Sequence, residues 1–89
     1  MHDNIKINWD KAKTQKISVR LHGHATSFSL ERPFYKVLQR KAANIDSSLT
    51  RLIEKIDSER PKNISLSSAL RLYVLEVAKN ETSSEDIEH

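Results

Sequence analysis

Apolar and polar residues alternate from Ile17 to Leu21, where Ile17, Val19 and Leu21 are separated by Ser18 and Arg20. A period of two marks a strand with one face against a core. His22-Gly23-His24 interrupts it with the only glycine of the chain, predicting a turn or a backbone position at positive φ. Alternation resumes over Ala25–Leu30, with Thr26, Phe28 and Leu30 on one face and Ala25, Ser27 and Ser29 on the other. Phe28 and Leu30 are the expected buried pair. The opposite face is small and polar.

After Glu31 the period lengthens to three and four. Phe34, Val37, Leu38, Ala42 and Ile45 form one stripe, predicting a helix that opens near Pro33, a residue tolerated in a first turn. Asn44-Ile45-Asp46 is its predicted end, since Asn and Asp accept the left-handed conformation that closes many helices. Ser47 or Ser48 caps a second helix carrying Leu49, Leu52, Ile53 and Ile56. Asp57–Asn63 contains Pro61 and is a predicted loop. Ser65 caps a third helix with Leu66, Ala69, Leu70, Tyr73, Val74 and Val77 on one side.

The ends lack such periods. Residues 1–15 form an expected flexible or loosely docked basic arm, residues 16–79 the folded domain, and residues 80–89 an acidic tail whose composition predicts disorder. The fold class expected is mainly α, with one short strand that pairs across a dimer, a third helix, and Ile17–Leu21 as a candidate extra N-terminal strand. Phe28, Leu30, Phe34, Leu38, Leu52, Ile53, Leu70 and Val74 are the expected dimer core.

The dimer follows from size. A chain of 89 residues without cysteine has a modest core and no disulfide to reinforce it, which leaves oligomerisation as the expected support. Ala25–Leu30 has two choices of partner. It can pair with Ile17–Leu21, but isolated two-stranded hairpins are marginal. It can instead pair with its own copy about a two-fold axis, the commonest route to a homodimer. The favoured reading is self-pairing, which presents an outer ribbon about as wide as the DNA major groove.

Charge adds a direction. The net charge is +3, yet residues 1–46 hold nine Lys/Arg against four Asp/Glu, while residues 65–89 hold two against five. Basic charge gathered at one end suits a polyanion, because Lys and Arg displace counterions condensed on phosphate. An ordinary solvated surface can carry the same imbalance, so charge alone does not decide. No apolar run approaches the roughly 18 residues of a membrane span and no signal peptide is evident, so a cytoplasmic location without membrane association is expected. The chain has no glycine-rich phosphate loop, no cysteine and no Ser/His/acid set on rigid elements. An enzyme and a cofactor are therefore not expected.

Other residues receive plain readings. His22 and His24, two apart, lack enough companion ligands for a metal because His2 and His89 lie in the termini; solvated turn histidines are expected, with phosphate contact the alternative. Trp9 is expected to anchor the arm on the body or a partner subunit rather than to stack on a base. Arg71 is expected to pair with Glu54, Asp57 or Glu76, and Tyr35 and Tyr73 to pack.

Ala25-Thr26-Ser27-Phe28-Ser29-Leu30-Glu31, followed by an amphipathic helix and a serine-capped second helix, resembles the ribbon-helix-helix family of Arc- and MetJ-like regulators. The stretches His24–Phe34, Leu52–Pro61 and Ser67-Ser68-Ala69-Leu70-Arg71 leading into Leu72–Leu75 are similar to a bacterial group with an extended C-terminal half. The resemblance implies a homodimeric DNA-binding transcriptional regulator or repressor. It places Ala25, Ser27 and Ser29 against base edges of double-stranded DNA. It makes Ser47, Ser48 and Leu49 a phosphate anchor assisted by Arg51, with Lys16 and Arg20 touching the backbone beside the ribbon. The chain departs from the group at the outward strand positions, where long or basic side chains are frequent. Serine discriminates bases poorly and alanine touches only the thymine methyl, so the alternative is a protein-interaction module that keeps the dimeric fold and binds an unknown protein partner.

Overall fold

The computed structural model describes residues 5–87. A short 3₁₀ helix, Trp9–Ala12, leads into two strands, β1 (Thr14–Leu21) and β2 (His24–Glu31), then α1 (Arg32–Asn44), α2 (Leu49–Glu59) and α3 (Leu66–Ile87). The strands form an antiparallel hairpin in which Ile17 faces Phe28, Val19 faces Thr26 and Leu21 faces His24. Only His22 and Gly23 connect them, at φ 52° and 82°. Positive φ at both central residues is what a tight turn matched to the strand twist requires; glycine supplies it freely and histidine is among the side chains that tolerate it.

The hairpin realises Ile17–Leu21 as the extra N-terminal strand that the sequence offered as a candidate. Ala25–Leu30 belongs to an eight-residue strand that takes β1 of its own chain as neighbour, and β1 starts three residues earlier than its apolar alternation suggests. The objection that a two-stranded hairpin is marginal fails because this one is not isolated. Its apolar face lies on all three helices. Among the described residues the far edge of β2 has no strand beside it.

The helix boundaries have local causes. Glu31 occupies the N-cap position of α1 and Pro33 sits in the first turn. At the other end Asp46 adopts φ 55°, its N–H donates to the Ala43 carbonyl, and the Ser47 N–H donates to the Ala42 carbonyl. These two bonds, with a left-handed residue between them, satisfy the last carbonyls of α1. Ser48 caps α2, its hydroxyl accepting from the Arg51 N–H at 3.1 Å. Ser65 does the same for α3 through the Ser68 N–H. The third helix continues to Ile87, beyond the tail boundary its apolar stripe suggests at residue 80. No glycine or proline follows Pro61, so nothing in the backbone chemistry stops it. Residues 88 and 89 lie outside the described part.

Ile17, Leu21, Phe28 and Leu30 from the hairpin meet Leu38 and Ala42 of α1, Leu52 and Ile53 of α2, and Leu66, Leu70 and Val74 of α3. Leu30, Leu38, Ile53 and Leu70 are fully enclosed, each contributing roughly 2 kcal/mol by burial. The residues expected to form a dimer core thus pack within one chain, with Phe34 partly buried at its margin. Tyr35 and Tyr73 pack there too, as expected. Trp9 remains 72% exposed and does not dock on the body of its own chain.

Candidate nucleic-acid interface

The face of the hairpin opposite the core is exposed along its whole length. Strand alternation places Thr14, Lys16, Ser18 and Arg20 on it from β1, with Ala25, Ser27 and Ser29 from β2, and all seven are exposed. The register sets Lys16 beside Ser29, Ser18 beside Ser27 and Arg20 beside Ala25. The small side chains of β2 therefore lie in a shallow floor, and the two cations of β1 stand directly across from its ends. The long basic side chains missing from β2 are supplied by the neighbouring strand.

This face is tied to the helices at both ends of β2. At the turn, the His22 N–H donates to Glu54 Oε2 at 2.8 Å, and the imidazole Nε2 lies 3.4 Å from Asp57 Oδ2. Asp57 in turn accepts from Arg60 Nε at 2.7 Å, while Arg60 Nη1 donates to the Ile64 carbonyl at 2.6 Å. One face of α2 thus fixes both the hairpin tip and the loop to α3. At the far end of β2, the Ser67 hydroxyl donates to the Ser29 carbonyl at 2.7 Å. Beside it, Arg71 forms a two-pronged hydrogen bond with the Glu31 carboxylate, at 2.9 and 3.1 Å. That guanidinium, helped by the backbone N–H of Glu31 itself, holds the Glu31 carboxyl below its ordinary value, against a smaller opposing effect of desolvation.

Residues 14–78 match the ribbon-helix-helix domain. The chain belongs to the ribbon-helix-helix family. The solved structure of an uncharacterized protein from Bordetella pertussis Tohama I superposes with a TM-score of 0.74 at 31% identity, covering 91% of this chain and 68% of that one. No curated protein matches the sequence. The ribbon-helix-helix fold is that of DNA-binding, non-enzymatic proteins, generally regulators of transcription. No helix among the described residues is long and apolar enough to cross a membrane.

Within this ribbon-helix-helix chain the sequence-nominated residues fall into two groups. Lys16, Arg20, Ala25, Ser27 and Ser29 share the outward sheet face. Ser47, Ser48, Leu49 and Arg51 gather separately at the start of α2, where Ser48 and Arg51 are exposed and Ser47 and Leu49 half-buried. The contacts from α2 to the hairpin come from Glu54 and Asp57, further along the helix than these four residues. A helix start presents N–H groups without acceptors in the helix. Ser48 takes one of them, that of Arg51.

The roles of three acids, Glu31, Glu54 and Asp57, escaped the sequence reading. Arg71 pairs with Glu31 rather than with Glu54, Asp57 or Glu76, and its partner is forty positions away. Glu54 and Asp57, expected only as partners of Arg71, are the supports of the hairpin turn. His2 and His89 lie outside the described residues. Among the described residues no three His or carboxylate side chains converge as a metal site would need.

Proposed function

We propose that the protein is a homodimeric regulator of transcription, acting in the cytoplasm, whose sheet face enters the major groove of double-stranded DNA. The observation that carries this reading is the register placing Lys16 and Arg20 across from Ser29 and Ala25. On this reading two copies join through the vacant edge of β2, over Ala25–Leu30, giving a four-stranded antiparallel sheet with both β2 strands in the middle. Strands about 4.8 Å apart put the two outer strands about 14 Å from one another. The major groove is about 12 Å wide and admits a two-stranded ribbon. The β2 strands then enter the groove, and Lys16 and Arg20 on the flanking strands meet the phosphates along its rims.

Ala25, Ser27 and Ser29 face base edges in this arrangement, and the start of α2, with Ser47, Ser48, Leu49 and Arg51, anchors a phosphate. Affinity rests mainly on charge, because Ser and Ala distinguish bases weakly. The test replaces both ribbon serines, Ser27→Glu and Ser29→Glu. Binding to a selected duplex, followed by fluorescence anisotropy at low salt, is lost while sedimentation shows the dimer intact. Undiminished binding by this variant removes the ribbon from the mechanism. A wild-type protein that binds no duplex but recovers a defined protein partner favours the interaction module instead.

A further inference from the structure

A second cationic feature lies at the end of the sheet where β1 begins. The 3₁₀ helix and the first turns of α1 enclose a cleft of about 460 Å³. Lys11 and Lys13 line it from the segment before β1 and Arg32 and Lys36 from α1, together with Thr14 and one acid, Asp10. Arg32 and Lys36 are one turn apart on α1 and share a face. All four cations are exposed or half-exposed. Among the described residues Lys13 is the one of the four in an ion pair, with Asp10 at 3.9 Å and both side chains more than four-fifths exposed. A pair so exposed is screened and neutralises little. Four cations and one acid around one concavity leave a net positive potential that attracts an anion.

The position of the cleft says which anion. Thr14 lines it and also belongs to the outward sheet face, two residues before Lys16 and six before Arg20. At about 3.3 Å per residue the cleft, Lys16 and Arg20 form one cationic track about 20 Å long. A DNA strand presents a phosphate every 3.4 Å or so along its axis, so such a track spans about six. An isolated small anion would need the cleft alone; a phosphodiester backbone uses the cleft and its continuation.

We propose that this cleft is a second phosphate-binding site, where the DNA backbone leaving the ribbon is gripped by Lys11, Lys13, Arg32 and Lys36. It rests on the ribbon reading for the identity of the polyanion, but the pocket itself is tested separately. The site adds affinity without reading sequence, and it gives the segment before β1 a role.

Inorganic tripolyphosphate, titrated into the isotopically labelled full chain, shifts the amide resonances of residues 10–15 and of Arg32 and Lys36. The variant Lys13→Gln with Arg32→Gln loses those shifts while its thermal midpoint stays at the wild-type value, neither side chain being part of the core. Against duplex DNA the same variant weakens binding about tenfold, equally for selected and random sequences. It also lowers the salt slope of log K by about 2, as expected for a dimer giving up one phosphate per protomer. Absence of tripolyphosphate shifts at these amides overturns the site. Shifts in the wild type combined with an unchanged DNA salt slope in the variant overturn its assignment to DNA. If Ser27→Glu with Ser29→Glu leaves binding intact while the cleft variant weakens it, the ribbon reading fails and the cleft stands.

Discussion

Arg71 grips the Glu31 carboxylate through two parallel hydrogen bonds, joining the end of β2 to α3 across forty residues of sequence. Glu31 also holds the N-cap position of α1 without capping it through its side chain. Its carboxylate therefore serves the tertiary fold and not the helix end. Because Arg71 keeps the folded-state pKa below the ordinary 4.5, the ionised pair contributes stability above that value. The contribution disappears as pH falls through the lowered folded-state value. Urea midpoints measured from neutral pH downward should decline in this acid window. Glu31→Gln should remove the Glu31 share of that decline and cost on the order of 1 kcal/mol at neutral pH, a modest figure for a pair partly open to solvent. An unchanged acid limb in Glu31→Gln contradicts the assignment.

The turn offers a backbone test. Gly23 has open space where a Cβ would project, yet its φ of +82° is one that side-chain-bearing residues rarely adopt. Gly23→Ala should therefore cost about 1 kcal/mol through strain rather than collision. His22→Asn should be tolerated better, since Asn accepts the left-handed region and keeps the N–H that donates to Glu54. Chemical denaturation of the two variants checks the order: Gly23→Ala below His22→Asn below or equal to wild type.

How far the sequence alone reaches can be judged from such residues. Phe28 and Leu30, and the stripes through Leu38, Ile53 and Leu70, are legible because their periods of two and of three or four record which face is buried. The Asp46 helix end and the Ser48 cap are legible because their chemistry is local. The pairing of β1 with β2 is legible only as a candidate. It depends on α2 packing under β1 while α1 and α3 pack under β2, and no pattern within one strand contains that. Ile17, Val19 and Leu21 held the signal, since a second amphipathic strand one tight turn away needs the same core. Arg71 with Glu31 was illegible for another reason: several acids lie at plausible spacing, and the three-dimensional path of α3 alone selects among them. Lys16 and Arg20 were noted as flanking cations, but their alignment with Ser29 and Ala25 is a fact of register.

Ser48 separates stability from recognition. Its hydroxyl caps α2, and loss of the cap in Ser48→Ala should cost about 1 kcal/mol. Ser48→Asp keeps a good cap and adds a charge suited to the helix start, so its thermal midpoint should equal or exceed that of the wild type. The same charge repels a phosphate. If the start of α2 anchors the DNA backbone, Ser48→Asp binds duplex at least tenfold more weakly despite its stability. Equal affinity in Ser48→Asp and wild type rules out that anchor and leaves the outward sheet face to account for binding.

Lys16 and Arg20 carry the sharpest expectation about that face. They are exposed on β1 and their side chains take no part in the core, so Lys16→Ala with Arg20→Ala should leave the unfolding free energy within about 0.5 kcal/mol of wild type. A dimer losing four phosphate contacts should show a log K against log salt slope shallower by about 3 to 4. Selected and random duplexes should weaken together, because phosphate contacts carry no base information. A variant that instead loses preference among sequences while retaining its salt slope would place these two side chains on base edges, inside the groove rather than on its rims. The four-stranded geometry would then have to narrow or tilt so that β1, and not β2 alone, enters it.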